Sequence, residues 1–318
     1  MPLLDPINVG IATVFMGLLA VVCYKKRIVS KSGLVAAFLL GMGVWLLASW
    51  TWFVLILLFF IVSSGFTHYK YQRKRKLGAA QDKGGARAWS NVLANGGIPL
   101  GIVLLSFALV TLLGRFSPAY GMWVVGVDSM AIPVSTVVSV SFAAFLGAVG
   151  TAAADTLATE IGLLNPTPPR LISKPWKSVP AGTSGGVSVL GELATFMGCL
   201  MVGGVAALLA QPIWYTVFGT MLMPEVSTFA PVTMIIVAMV GGFAGCTVDS
   251  LFGATIQGMW RCTVCNKQTE KKTHCCKPAQ YLRGNKFFDN HMVNLISCLA
   301  GAAVAMGLYF ALLTIGFA

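Results

Sequence analysis

The chain has 318 residues, of which 57% are apolar and 10% charged, against roughly 25% charged in a soluble globular domain. With a mean hydropathy of +0.81, it has too few charges to cover a water-facing surface, which excludes an ordinary soluble enzyme, a disordered chain, collagen and a coiled coil. A formal charge of +12 would point to nucleic acid in a soluble protein; here the basic residues follow a membrane topology, so no nucleic-acid partner is expected.

Stretches without charge are long enough to cross a hydrocarbon layer of about 30 Å, which takes about 20 helical residues. In chain order they predict spans near 8–24, 33–49, 51–67, 91–113, 133–154, 188–209, 232–252 and 292–317. The second and third share one uncharged run that is too long for a single crossing, so a break is expected at Ala48-Ser49-Trp50. The expected fold is an all-α, polytopic membrane protein of about eight transmembrane helices, forming a single integral membrane domain over residues 1–318. Lys25, Lys26 and Arg27 lie behind the first apolar stretch, the reverse of a cleavable signal peptide, so a retained first helix is expected. A short apolar piece at 213–223, with Trp214 and Tyr215 as anchors, is expected at the membrane interface.

Between these spans, 21 of the 22 basic residues fall in four loops, near 25–31, 70–87, 170–177 and 261–286, and only Arg115 falls outside them. Eight spans put all four loops on one side. The positive-inside rule then predicts a cytoplasmic face for them and both termini outside, in an integral, multi-pass protein that would occupy the cell membrane of a prokaryote.

Ten acidic residues remain to be placed. A carboxylate near a membrane core is costly and is by default a functional candidate. Asp5, Asp128 and Glu225 fall outside, and Glu270 sits in a loop rich in Lys. Asp82, Asp155, Glu160, Glu192, Asp249 and Asp289 all map to the cytoplasmic ends of helices, which favours a site open to the cytosol. Asp155 and Glu160, five apart, would stand about 140° apart on a straight helix, so they converge only if the helix breaks or each meets a different partner. Asn290 and Asn294 share a helical face beside Asp289, an arrangement suited either to an oxygen-coordinated metal or to a helix cap.

Two loops carry further chemistry. Gly182, Thr183, Ser184, Gly185 and Gly186 open directly into a helix, so their backbone amides can meet an anion at the positive end of the helix dipole, with Arg170 and Lys174 just upstream. The loop has no Gly-Lys-Ser/Thr and is not a Walker A motif. The cytoplasmic loop 261–289 holds Cys262-Thr263-Val264-Cys265 and, eight residues on, His274-Cys275-Cys276. That spacing suits a structural tetrahedral zinc held by Cys262, Cys265, Cys276 and either His274 or Cys275. Cys23, Cys199, Cys246 and Cys298 lie inside spans and read as small apolar fillers.

The blocks Ala154-Asp155-Thr156 to Glu160-Ile161-Gly162, Pro169-Arg170-Leu171-Ile172, Val179-Pro180-Ala181-Gly182 to Gly186-Val187, Val248-Asp249-Ser250 to Ile256-Gln257 and Asp289-Asn290-His291-Met292-Val293-Asn294, in this order, resemble the signature blocks of the phytyl-phosphate kinase family of integral membrane proteins, the domain-of-unknown-function-92 family that includes vertebrate transmembrane protein nineteen. Gly85 to Gly97 resembles its early block, and the likeness runs from about Gly33 to Leu308. His291 and the cysteine loop depart from the pattern. The resemblance implies a prenyl-phosphate kinase: transfer of the γ-phosphate of a nucleoside triphosphate, CTP first, to an isoprenoid monophosphate such as geranylgeranyl or phytyl phosphate. A CTP-dependent lipid cytidylyltransferase is the alternative, and a non-enzymatic prenyl-phosphate transporter a third reading.

A prenyl phosphate has its head at the interface and its tail in the bilayer, where a site at helix ends would meet a soluble nucleotide. The attacking phosphate oxygen is already ionised at pH 7, since its second pKa is about 6, so catalysis reduces to positioning and charge neutralisation. Asp155, Glu160, Asp249 and Asp289 are the expected magnesium ligands. Asn290 and Asn294 would assist; Arg87, Arg170, Lys174 and Lys83 would clamp phosphates. Gly182 to Gly186 would supply backbone donors, and Asn91, Asn95, Ser250 and Gln257 complete the expected binding set. Lys70 to Lys76 read as an anchor for anionic lipid. Oligomeric state is not legible in the sequence.

Overall fold

The structure, a computed structural model, describes residues 5–77, 85–117, 122–125, 132–211 and 230–317. Nine helices lie among them: α1 (Pro6–Lys25), α2 (Lys31–Leu47), α3 (Trp50–His68), α4 (Tyr71–Leu77), α5 (Trp89–Leu113), α6 (Val134–Gly162), α7 (Val189–Leu209), α8 (Pro231–Thr255) and α9 (Asn290–Thr314). Seven are long and apolar enough to cross a membrane, and α2, at 17 residues, is a shorter apolar helix. The expected break falls between Leu47 and Trp50, where Ala48 and Ser49 leave helical geometry. The interfacial piece expected at 213–223 lies outside the described residues.

Helix ends follow local chemistry. Ser30, Ser188 and Asp289 each offer a side-chain oxygen to an amide of the following first turn, and Pro6 and Pro231 open α1 and α8, where their missing N–H costs nothing. On α1 the residues Ile7, Ile11, Val14, Leu18 and Val21 are exposed and recur every three or four positions, so one apolar face is turned outward, as a lipid-facing helix requires.

Helix α6 is the most deeply buried span and packs against α3, α5, α7, α8 and α9. Small residues allow this. A Cβ built on Gly147 would strike the Gly301 carbonyl of α9, and one on Gly245 of α8 would run into Thr151 of α6. Where lipid and side chain are equally apolar, such close backbone approach is what holds helices together.

The loops contain short strands that apolar periodicity did not predict: β1 (Gly114–Ser117), β2 (Met122–Val125), β3 (Ile132–Pro133), β4 (Arg170–Leu171), β5 (Lys174–Ser178), β6 (Gly186–Val187), β7 (Met259–Arg261), β8 (Gln268–Thr269), β9 (Thr273–His274), β10 (Lys277–Pro278) and β11 (Gln280–Arg283). They pair antiparallel, in the orders β1-β2-β3, β5-β4-β6, β11-β7-β8 and β10-β9. The first sheet links the far ends of α5 and α6 and carries Arg115.

All four basic loops meet at the other end. Val29 bridges Arg87, Lys74 of α4 reaches Glu160 at the end of α6, and Gly253 of α8 lies against Ser184. Gln257 bridges Asn285, and Asn95 of α5 meets Asn294 of α9. The charge sorting read from the sequence is thus a real clustering at one face of the bundle.

Candidate functional site

Helix α6 continues unbroken to Gly162, two turns beyond the expected span, and so carries both Asp155 and Glu160. They meet different partners. The Asp155 carboxyl lies within hydrogen-bonding reach of Asp249 on α8. Ser297 of α9 donates to Asp249 Oδ2 at 3.1 Å. Two half-buried carboxylates facing each other repel unless a proton or cation stands between them.

A third carboxylate approaches this pair from the cysteine loop. Glu270, one acid in a loop rich in Lys, lies close enough to Asp155 and Asp249 for its charge to act on both, on the side of the site where Ser184 meets Gln257. Burial raises its carboxyl above the usual range. The nearby Gln257 and Ser184 dipoles and the Lys271 ammonium pull it down, and Asp289 pushes it up again. The signal available in the sequence was Glu270's place between two pairs of metal-type ligands.

Two members of the expected four-acid set have other partners in the structure. Glu160 is not free for a metal: Lys74 Nζ lies 2.6 Å from its Oε2, with both side chains buried, and also donates to the Phe66 carbonyl at 2.5 Å. Lys74 is therefore no lipid anchor, though Arg73 and Arg75 beside it are exposed. Asp289 is exposed and caps α9 through Met292 N at 3.0 Å; its charge reaches Glu270.

Next to the carboxylates lies the glycine loop. Gly182 and Gly185 have φ of +84° and +76°, the left-handed region that glycine enters freely. A Cβ on Gly185 would lie 2.5 Å from the Ala254 backbone nitrogen, so the loop is pressed onto the last turn of α8. Ser184 Oγ donates to Gln257 Oε1 at 2.5 Å. The Thr183 and Gly186 amides are spent on turns within the loop, which narrows the expected donor set to Gly182, Ser184 and Gly185. Arg170 and Lys174 are exposed on the β4–β5 hairpin, and Arg170 donates to the Pro175 carbonyl at 3.0 Å. Neither is held against the acids. Ser250 is half-buried beside Asp249, Asn290 is exposed at the start of α9, and Lys83 lies outside the described residues.

On the opposite flank, α1, α2, α3 and α5 border a half-open apolar cavity of about 80 Å³, lined along its length by Met16, Leu40, Gly41, Phe53, Phe59 and Gly96 among others. Its polar lining is Arg87, Asn91 and Asn95. Arg87 is buried under Phe59, 5.9 Å from the ring centroid. Burial draws its guanidinium down to about 10 and the Glu160 carboxylate opposes this, so it is charged at neutral pH. Pro99, inside α5, lacks the N–H that would bond the Asn95 carbonyl. Asn294 Nδ2 donates to Asn95 Oδ1 at 3.2 Å, while Asn294 Oδ1 is buried without a partner. One turn further along α9, Ser297 contacts Asp249. A polar path therefore joins the cavity's head to the acid pair.

In the cysteine loop the ligand atoms of Cys262, Cys265, His274 and Cys275 lie within 4.8 Å of one another. Cys276, expected as a ligand, is exposed and outside this group. The amide of Cys265 first, then that of Val264 and the His274 side chain, lower the Cys262 thiol to about 6 against the effect of burial. The other four cysteines are buried within helices, as fillers should be.

A polytopic helical bundle with a carboxylate cluster at one face and an apolar cavity beside it defines a membrane protein built around a polar site at helix ends. Its family profile is that of the Integral membrane protein DUF92 family, matched over residues 14–302, and the chain belongs to that family. It is 30% identical over 290 residues to Protein PGR of Arabidopsis thaliana, covering 91% of each chain. It is 24% identical over 251 residues to an uncharacterized membrane protein of Methanocaldococcus jannaschii, covering 79% of this chain and 84% of that one. An uncharacterized membrane protein of a Synechocystis strain is 25% identical over 284 residues, with coverages of 89% and 83%. No solved structure matches the chain.

Proposed function

We propose that the protein is a prenyl-phosphate kinase that transfers the γ-phosphate of a nucleoside triphosphate, CTP first, to an isoprenoid monophosphate at the cytoplasmic face of the membrane. The observation that carries this reading is the continuity of the site. An apolar cavity ends at Arg87, Asn91 and Asn95, and Asn95, Asn294, Ser297 and Asp249 lead from there to the carboxylate pair. A ligand with a long apolar tail and an anionic head matches that sequence of surfaces.

The donor set fits magnesium, a hard cation that takes carboxylate and amide oxygens. Asp155 and Asp249 face each other without an ammonium or guanidinium bonded to either among the described residues, and Asn294 Oδ1, one turn along α9 from the Ser297 that bonds Asp249, is an unpartnered buried oxygen. Asp155, Asp249 and Glu270 would hold the ion, which when bound neutralises the stacked phosphates. The chain's own residues do the rest. Arg87 orients the acceptor phosphate, Lys74 and Glu160 hold Arg87 in register, and the Gly182, Ser184 and Gly185 amides receive the nucleotide phosphates. No general base is required, because the acceptor oxygen is ionised at neutral pH.

The test is product mass. Purified protein in detergent, given geranylgeranyl monophosphate, CTP and magnesium, is expected to yield the prenyl diphosphate. A CDP-linked lipid would instead move the protein to the cytidylyltransferases, and absence of turnover with absence of nucleotide binding would remove the enzyme reading.

A further inference from the structure

The loop between α8 and α9 is a small module of short strands, β7 to β11, in which only Met259, Trp260 and Cys262 of residues 259–283 are buried. So little apolar burial does not hold a segment of this size in one conformation. What converges instead is a set of four soft donors, Cys262 Sγ, Cys265 Sγ, a ring nitrogen of His274 and Cys275 Sγ, all within 4.8 Å of one another. Ligands about 2.3 Å from a tetrahedral centre stand about 3.8 Å apart, so the set is close to coordination distance already.

The backbone around it has the form of a metal knuckle. Val264 N and Cys265 N point at Cys262 Sγ at 3.3 and 3.5 Å, which orients the sulfur and spreads the charge of a thiolate. Across from it, His274 pairs with Lys277 around a two-residue turn in which Cys275 and Cys276 have φ of +51° and +59°. Both central positions of such a turn favour Asn and Gly. With two cysteines there, the turn brings Cys275 Sγ to 3.2 Å from His274 Nδ1 and leaves Cys276 outside.

We propose that Cys262, Cys265, His274 and Cys275 hold one zinc ion, and that this ion clamps both ends of the segment that carries Glu270 to the Asp155–Asp249 pair. Three thiolates and an imidazole close a tetrahedral shell, so the ion is structural and does no chemistry itself. Glu270 follows Cys265 by five residues and precedes His274 by four, and the two ligand pairs fix its position from either side. Its role over the acid pair rests on the proposed divalent-cation site; the zinc site itself does not.

The test uses the full-length protein in detergent, produced with zinc in the medium, and reads zinc by elemental mass spectrometry and manganese binding by electron paramagnetic resonance. Native protein and Cys276→Ser are expected to carry about one zinc per chain, and Cys262→Ser and Cys275→Ser less than about a tenth of that. Cobalt exchanged into native protein is expected to show the intense visible and sulfur charge-transfer absorption of tetrahedral thiolate coordination, a readout independent of how the variants fold. Glu270→Gln is expected to keep its zinc and to lose about tenfold in manganese affinity, and chelation of the zinc from native protein to cause the same loss. Native protein without zinc, or cobalt without that absorption, would overturn the site. Zinc removal that left manganese affinity unchanged would overturn the clamp. Absence of kinase turnover with all the metal results intact would count against the kinase alone.

Discussion

Lys74 and Glu160, 86 positions apart, close a buried ion pair with Nζ 2.6 Å from Oε2. The pair ties the short helix α4 to the end of α6 and places a negative charge where it acts on Arg87. Breaking such a pair by removing one partner leaves an uncompensated buried charge.

Lys74→Met is therefore expected to destabilise the protein by about 3 to 5 kcal/mol. Lys74→Met combined with Glu160→Leu should recover most of that loss. Thermal unfolding in detergent of the single and double variants measures both, and additive losses would contradict the assigned pairing.

Glu160→Gln separates a metal ligand from a positioning residue. Because Glu160 is held by Lys74, the substitution should lower stability and weaken acceptor binding through Arg87, while manganese affinity stays within about twofold. Asp155→Asn and Asp249→Asn should each lower manganese affinity about tenfold or more and turnover about 100-fold or more. A Glu160→Gln variant as metal-deficient as Asp155→Asn would return Glu160 to the ligand set.

The cavity makes a specificity prediction. A Cβ on Gly41 would meet the Met16 side chain, and one on Gly96 would meet Leu40, so Gly41→Leu and Gly96→Leu should fill the cavity. Both are expected to raise KM for long prenyl phosphates about tenfold or more, with KM for CTP unchanged, the loss of a few buried methylenes of the tail being enough at about 0.8 kcal/mol each. Kinetics with short- and long-chain acceptors check it, and equal effects on all chain lengths would argue against a tail site.

In the glycine loop, Gly185→Ala must place a Cβ against the Ala254 backbone at a positive φ. Strain of about 1 to 3 kcal/mol is expected, appearing as a raised KM for nucleotide with acceptor KM little changed. Titration of each substrate against the other in steady state tests this.

Much of the framework was legible in the sequence because its signals are local. Uncharged runs marked the spans, the break at Ala48-Ser49 followed from length, and basic residues sorted to one face. Asp155 and Asp249 were legible because an acid at a helix end within lipid is costly. What escaped depends on distant contacts. Lys74 looks like its exposed neighbours until Glu160, on another helix, takes it inward. Glu270 was hidden by its lysines, since only the fold turns it toward Ser184 and Gln257. Cys275 and Cys276 have the same chemistry, and only their places in a two-residue turn between β9 and β10 decide which sulfur reaches His274. Strands of two to five residues carry too few positions for an alternating pattern to register.

The most direct measurement of the central claim follows the label from CTP radiolabelled at its γ-phosphate into the lipid fraction, with geranylgeranyl monophosphate and magnesium, for native protein, Asp155→Asn and Glu160→Gln. The account predicts labelled prenyl diphosphate with native protein, reduced but measurable label with Glu160→Gln, and label at background with Asp155→Asn. Unlabelled lipid product with native protein, or equal labelling by native protein and Asp155→Asn, would contradict it.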